Sequence, residues 1–263
     1  MRKALNSIRE QEYKNIQVVV VEDGANISEQ MITNEFSDLN IVYQATGERK
    51  GRCYAGNVGL KLAQGEYLNF LDDDDMLLPN HFQVLYTRIL QTQVKAAYAW
   101  AEEHQILIKN RETYEFVVKR KFFRYKQPFN RLLLCYMNYI PIQSILFSRE
   151  LYDLYGGFDE NLEVLEDWDL WVRYAVHADF LMVPEVTSVY YTPYKFSEKT
   201  GRQKQLDDGL KIVREKHREL VVQCSTADIG RDVDYLINVY GNNRKGIKFY
   251  LKKIRDLICS KNN

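Results

Sequence analysis

Tyr67-Leu68-Asn69-Phe70-Leu71-Asp72-Asp73-Asp74-Asp75-Met76-Leu77-Leu78-Pro79 is an apolar run that empties into four consecutive aspartates. The run predicts a strand over 67–71 that delivers carboxylates at the edge of a sheet. Like charges this close repel one another unless water solvates them or a cation neutralises them. Hard oxygen ligands at a strand end suit Mg²⁺ or Mn²⁺, which keep some of their waters and share a phosphate-bearing substrate. Aspartate is also a common turn residue, so a solvated acidic turn is the plainer alternative. The residues around the cluster shift the balance.

Upstream, residues 2–11 predict a short amphipathic helix with Ala4, Leu5 and Ile8 on one face. Residues 16–21 (Ile-Gln-Val-Val-Val-Val) form a β-branched run typical of a strand covered on both faces, and the chain leaves it through Glu22-Asp23-Gly24. A helix over 28–36, a strand over 40–44 and a helix over 54–64 follow. Strands alternating with helices imply an α/β fold with a doubly wound, mostly parallel sheet and helices on both faces. Such sheets bind ligands at the carboxyl ends of their strands. Asp23 and the Asp72–Asp75 run both fall at predicted strand ends, which favours a nucleotide-and-metal site over a chance turn.

Downstream, a helix is predicted over 79–91 and strands over 96–100, 105–109 and 114–120. A helix over 130–136, a strand over 143–147 and a helix over 148–154 come next. The helix over 166–177 has the clearest pattern, followed by strands over 180–183 and 188–191. Residues 199–205 are polar and read as a linker, and from Leu206 onward the pattern is helical, through 245–259.

With 263 residues, 46% of them hydrophobic, the chain can build a sizeable core. Lysine plus arginine (36) equals aspartate plus glutamate (36), which removes any bulk electrostatic drive toward nucleic acid. The 19 tyrosines suit sugar binding and ordinary core packing equally. Cys53, Cys135, Cys224 and Cys259 lie far apart with no C-x-x-C pair, and the four histidines show no i,i+4 pairing. A disulfide framework or zinc site is therefore not expected. No apolar stretch reaches membrane-spanning length and the start lacks a signal peptide's apolar core, so the expectation is a soluble, cytoplasmic protein.

In chain order the motifs resemble those of the family 2 glycosyltransferases, which have the GT-A fold. The first is Ala4-Leu5-x-Ser7-Ile8-x-x-Gln11-x-Tyr13 leading into Val20-Val21-Glu22-Asp23-Gly24. The second is Ala55-Gly56-Asn57-x-Gly59-Leu60-x-x-Ala63-x-Gly65-Glu66-Tyr67. Phe70-Leu71-Asp72-Asp73-Asp74-Asp75 matches the acidic D-x-D region. Gly156-Gly157-Phe158-Asp159-Glu160 and Glu166-Asp167-Trp168-Asp169-Leu170-Trp171-x-Arg173 close the series. Motifs in this order are specific where a lone D-x-D is weak.

The resemblance implies a GT-A domain over 1–198 and a helical C-terminal extension over 199–263. It implies transfer of a sugar, with inversion, from a nucleotide-diphosphate donor to a saccharide or lipid-linked acceptor in surface polysaccharide or lipopolysaccharide assembly. Asp23 would accept from the nucleobase; Asp72 would lie near the ribose or the metal-bound water, with Asp73 beside it. Asp74, with Asp72, would hold Mn²⁺ or Mg²⁺. Asp167 would be the general base and Glu166 would help position it or the acceptor. Acidic residues in a helix's first turn are also favoured by its macrodipole, which is the plainer role for Asp169. Trp168 and Trp171 can stack on a sugar, although core packing suits at least one of them, and Arg173 reads as an ion-pair partner on its helix.

The pattern departs from the family in three places. Relatives open with a strand resembling V-S-V-I-I-P-x-Y-N, whereas this sequence starts inside the following helix; loss of that central strand would cost stability or activity. An inactive, nucleotide-binding remnant is one alternative reading for that reason. Gly56 stands where many relatives have arginine, leaving Arg49, Lys50 and Arg52 to supply positive charge toward the diphosphate. Tyr191-Thr192-Pro193-Tyr194 replaces a Y-R-x-H segment, with Lys195 the nearest cation. A nucleotidyltransferase would need a glycine-rich basic loop near its N-terminus, and the sequence has none. Finally, Arg244, Lys245, Lys248, Lys252, Lys253 and Arg255 interleave with Ile247, Phe249, Leu251 and Ile254. That basic amphipathic pattern offers a peripheral contact at the inner face of the plasma membrane, or an ordinary surface helix.

Overall fold

The computed structural model describes residues 1–110, 113–194 and 196–240. Ala4, Leu5 and Ser7 turn inward on α1 (Arg2–Arg9), matching the predicted apolar face. Four successive valines then commit β1 (Val18–Glu22), because β-branched side chains favour extended backbone. After α2 (Glu29–Glu35), β2 (Ile41–Ala45) pairs with β1 in parallel, Val18 opposite Ile41. Leu5, Val18, Ile32 and Phe36 form the small core beneath this pair.

Helix α3 (Arg52–Leu62) leads to β3 (Tyr67–Leu68), β4 (Met76–Leu77) and α4 (His81–Thr92). The long β5 (Ala96–Asn110) turns back into β6 (Glu115–Phe122). Then come α5 (Arg131–Tyr136), a 3-10 turn (Ile142–Ser144), β7 (Ile145–Ser148), α6 (Arg149–Tyr155) and α7 (Glu166–Ala175). The chain continues through β8 (Phe180–Pro193), α8 (Phe196–Lys216) and α9 (Thr226–Tyr240). The second sheet has the order β3-β7-β5-β8-β4, with β6 on the outer part of β5. Its longest ladder, β5 with β8, is parallel; the pairs β3–β7, β4–β8, β5–β6 and β5–β7 are antiparallel.

Helices cover both faces of this sheet. On one side Leu85 and Ile89 of α4 bury against Ala97, Ala99, Leu146 and Val183. On the other, Trp168, Trp171 and Tyr174 of α7 pack with Phe147, Phe180 and Leu134. Both tryptophans are fully buried, so neither stacks on a sugar. Removing such a side chain costs about 3–5 kcal/mol.

β1 and β3 do not pair. Between them lies a cavity of about 530 Å³ lined by Val19 of β1 and Leu68 of β3, together with Phe70 and, from α4, Tyr86. Across its end the backbone N–H of Gln64 donates to Gln17 Oε1 at 2.7 Å.

Several sequence expectations change. The segments 96–100 and 105–109 are one strand, because the intervening polar residues are satisfied inside the protein. Glu103, fully buried, accepts from Arg124, Tyr190 and Thr192. Segments 180–183 and 188–191 likewise fuse into β8. The register between β5 and β8 shifts at Ala99/Trp100, next to Val183 and ahead of Val186, so Pro184 sits where the ladder is already irregular. β3 is shorter than 67–71, since the Asn69 side chain donates to the Gln143 and Ile145 carbonyls instead of extending the strand. The polar segment 199–205 is no linker but part of α8; lysine, glutamine and arginine are good helix formers whatever their polarity. Helix α8 also crosses the 198/199 boundary, and its Val213 is fully buried in the main core. Lys195 and the basic segment 244–255 lie outside the described residues.

Candidate active site

Asp23 stands at the carboxyl end of β1. Its two carboxylate oxygens accept the backbone N–H groups of Lys50 (2.8 Å) and Gly51 (3.0 Å), pinning the loop that enters α3 to the sheet edge. The neighbouring Glu22 accepts from Tyr43 and from the Ser28 and Ile27 amides. Burial works against ionisation there, yet those hydrogen bonds hold Glu22 below its usual range. Burial and Glu22 together push the Tyr43 phenol up to about 12.

Of the four aspartates, three converge. Carboxylate oxygens of Asp72, Asp74 and Asp75 lie within 4.8 Å of one another. Asp73 stands outside this group, with its side chain 75% exposed. Asp75 is buried and accepts the Tyr191 backbone N–H at 3.1 Å, an anchor to β8 that sequence reading did not single out. Burial, then repulsion from Asp72 and Asp73, raises the Asp74 carboxyl, and Tyr114 Oη donates to it at 3.4 Å. Three hard oxygen donors whose mutual repulsion a cation would relieve fit Mg²⁺ or Mn²⁺.

Arg52, the first residue of α3, joins this cluster to a second one. Its Nη2 lies 3.1 Å from Asp72 Oδ2, and its Nε lies 2.8 Å from Glu166 Oε1. Leu165, just before α7, has a φ of 60°, a conformation costly for a branched side chain. It turns the chain so that Glu166 and Asp167 open the helix. Burial raises the carboxyl of Glu166, repulsion from Asp167 adds to this, and Arg52 opposes it. Burial also raises Asp167, in part offset by Asn138 Nδ2, which donates to Asp167 Oδ2 at 2.9 Å.

Asp169, two residues on, takes the structural role. It is fully buried and contacts Arg173 (3.0 Å), Lys216 (2.7 Å) and His217 (2.8 Å), which ties the end of α8 to α7. Against the penalty of burial, hydrogen bonds from His217 and Lys216 bring it down to about 2. Arg173, as the sequence suggested, is an ion-pair partner, and it also donates to the Tyr155 and Gly157 carbonyls.

The Ala55-Gly56-Asn57 and Gly156-Gly157-Phe158 motifs are one lock. Asn57 Oδ1 accepts the Phe158 backbone N–H at 2.8 Å while its Nδ2 donates to the Phe158 carbonyl at 3.0 Å. A Cβ at position 56 would come within 2.5 Å of the Phe158 ring, and one at 157 within 2.3 Å of Asn57 Oδ1. Gly56 is thus required by packing here, and positive charge enters from Arg52 instead. The carbonyl and amide partners of Asn138 and Asn57 carry no local code, which is why sequence reading missed Asn138.

Glycosyl transferase family 2 matches residues 1–153. A colanic acid biosynthesis glycosyl transferase described as WcaA, from Escherichia coli K12, is 26% identical over 220 residues, covering 82% of this chain and 76% of its own. An uncharacterised glycosyltransferase of Rickettsia typhi is 27% identical over 192 residues, and the chain spans 73% of itself but only 56% of that relative. The Escherichia coli UDP-Glc:α-D-GlcNAc-diphosphoundecaprenol β-1,3-glucosyltransferase WfgD is 27% identical over 130 residues, 49% of this chain and 48% of its own. Among solved structures, Staphylococcus aureus TarS 1–349 with UDP-GlcNAc superposes with a TM-score of 0.63 at 16% identity, over 92% of this chain and 70% of that one. The Pyrobaculum calidifontis mannosyltransferase PcManGT with GDP-Man and Mn²⁺ gives 0.58 at 19%, over 81% and 60%. At these identities the two structures speak for the GT-A fold alone.

Proposed function

The chain belongs to glycosyl transferase family 2 and is a glycosyltransferase; we propose that it inverts the anomeric centre as it moves a sugar from a nucleotide-diphosphate donor to a saccharide or lipid-linked acceptor. The observation that carries this reading is Arg52, which spans from Asp72 in the aspartate trio to Glu166 beside Asp167. A donor diphosphate over the trio would therefore place its sugar next to Asp167, a raised carboxylate that no cation pairs directly among the described residues. The relatives support the two substrates: one solved neighbour binds UDP-GlcNAc, and WfgD acts on a diphosphoundecaprenol-linked sugar. The name of WcaA, a colanic acid biosynthesis glycosyl transferase, supports a place in polysaccharide assembly.

Asp72, Asp74 and Asp75 are the residues that would hold the divalent cation, and a cation there neutralises charge on the departing diphosphate. Arg52 adds a second positive charge facing the same leaving group. Asp23, already fastened to the loop before α3, keeps free lone pairs for the nucleobase. Asp167 takes the proton from the acceptor hydroxyl as it attacks; burial makes it a stronger base than a solvated aspartate. Asn138 and the Trp168 backbone N–H hold its carboxylate in orientation. One base suffices for a one-step displacement.

Titration calorimetry with a panel of nucleoside diphosphates, with and without Mn²⁺, tests the donor half. Metal-dependent binding of one nucleotide is the expected result; metal-independent binding would remove the role given to the trio. Full transfer activity in Asp167→Asn would remove the base.

A further inference from the structure

Lys119, Arg120, Lys121 and Lys126 crowd onto β6 and the segment after it, all exposed, and none has an ion-pair partner among the described residues. Glu115 is the single acid on β6. Arg124 differs from its neighbours, being engaged with buried Glu103. In a chain of zero formal net charge this is a marked local excess of cations. Apolar groups are interleaved with them: Val117 is 43% exposed, Phe123 36% and Tyr194 37%. Lys126 lies over the Phe123 and Trp100 rings at 3.9 and 4.3 Å, and Arg120 over Tyr194 at 5.7 Å.

Lysines on an edge strand commonly guard against edge-to-edge pairing, and β6 pairs only with β5 among the described residues. Guarding an edge calls for no exposed apolar side chains, however, whereas here exposed Val117 and Phe123 flank the cations on either side. Its position is also informative. At one end Tyr114 Oη reaches Asp74. β6 therefore begins beside the aspartate trio.

We infer that the β6 edge, through Lys119, Arg120, Lys121, Lys126, Val117 and Phe123, docks the protein on an anionic lipid bilayer. Cations approach the phosphate headgroups while the interleaved apolar groups enter the interface. Charge complementarity selects this occupant, and the site's mouth then faces the layer in which a lipid-anchored acceptor resides. That last orientation rests on the proposed function; the docking does not.

The test is co-sedimentation of the full chain with vesicles of pure phosphatidylcholine, or of two parts phosphatidylcholine to one part phosphatidylglycerol. Binding only to the anionic vesicles is expected, and Lys119→Glu/Lys121→Glu should weaken it more than tenfold, each cation being worth about fivefold near such a surface. Lys119→Ala/Lys121→Ala should weaken it less, and both variants should keep the wild-type rate on a water-soluble acceptor, which shows that they fold. Equal binding to both vesicle types, binding to neither, or wild-type binding by the charge-reversal variant overturns the proposal, the last moving the contact to Arg244–Arg255. Displacement by millimolar inorganic phosphate would overturn it in favour of a discrete phosphate site. Vesicle binding without any glycosyl transfer would leave the docking surface standing and remove the catalytic reading instead.

Discussion

Two acidic clusters, joined by one arginine, are built on opposite principles. The trio Asp72, Asp74 and Asp75 sits at a strand end, partly open to solvent, with carboxylates close to one another and Arg52 against Asp72. The α7 group Glu166, Asp167 and Asp169 is sunk into the largest core, and each member has a designated partner: Arg52, Asn138, and the set Arg173, Lys216 and His217. The first cluster brings three hard oxygen donors together and is suited to a cation. In the second, the partner decides the role. A neutral amide leaves Asp167 raised and basic, whereas Arg173, Lys216 and the His217 imidazole hold Asp169, two residues away, ionised and structural.

The largest effect that can break this contrast is at the base. Asp167→Asn should lower kcat by roughly a hundred- to ten-thousandfold with donor affinity unchanged, as steady-state kinetics and calorimetry would show. Asp169→Asn should act on stability instead. It leaves Arg173, Lys216 and His217 facing an uncharged side chain, and chemical denaturation should report a loss of about 3–5 kcal/mol with part of the α8 contact gone. If the two variants gave the same phenotype, the division of labour along α7 would fall. Arg52→Ala should come next, weakening donor binding and destabilising the fold by roughly 2 kcal/mol, since it leaves Glu166 buried without its cation. Asp74→Ala is expected to abolish the Mn²⁺ dependence of donor binding yet change stability by less than about 0.5 kcal/mol, because it relieves repulsion at a partly exposed site.

The pH dependences sharpen the same comparison. With Asp167 as the proposed base, the rate should rise with pH through its raised pKa and be lost below it. The Asn138 hydrogen bond lowers that pKa, hence Asn138→Ala should move the acid limb of the kcat/KM profile to higher pH. Asp169 runs the other way. Its folded pKa, about 2, lies below the ordinary 3.8, so its contribution is complete above the ordinary value and is lost as pH falls through about 2. Denaturation midpoints measured between pH 5 and 2 should decline for the wild type and less for Asp169→Asn.

Much of this was readable along the chain. The valine run of β1, the aspartates after β3 and the Glu166-Asp167 opening of α7 are local signals, because a period or a contiguous charge run needs no partner to be seen. Element edges were less legible. Glu102-Glu103-His104 looked like a break in β5, but Arg124, Tyr190 and Thr192 satisfy Glu103 from distant strands. The polar run in α8 looked like a linker because its polarity was read as a loop signal, although lysine, glutamine and arginine are good helix formers.

The sequence by itself determined the α/β class, the family, and which carboxylates stand at strand and helix ends. Only the tertiary structure decided which of them act together. It set Asp75 in the trio and Asp73 outside it, and it put Arg52 between clusters nearly a hundred residues apart in sequence. It also gave Asp167 an amide, and Asp169 an arginine, a lysine and an imidazole. The physical reason is range. Backbone propensity and charge runs act between neighbours in the chain, whereas a carboxylate's protonation and ligand capacity depend on burial and on partners within a few ångströms, which folding alone brings together.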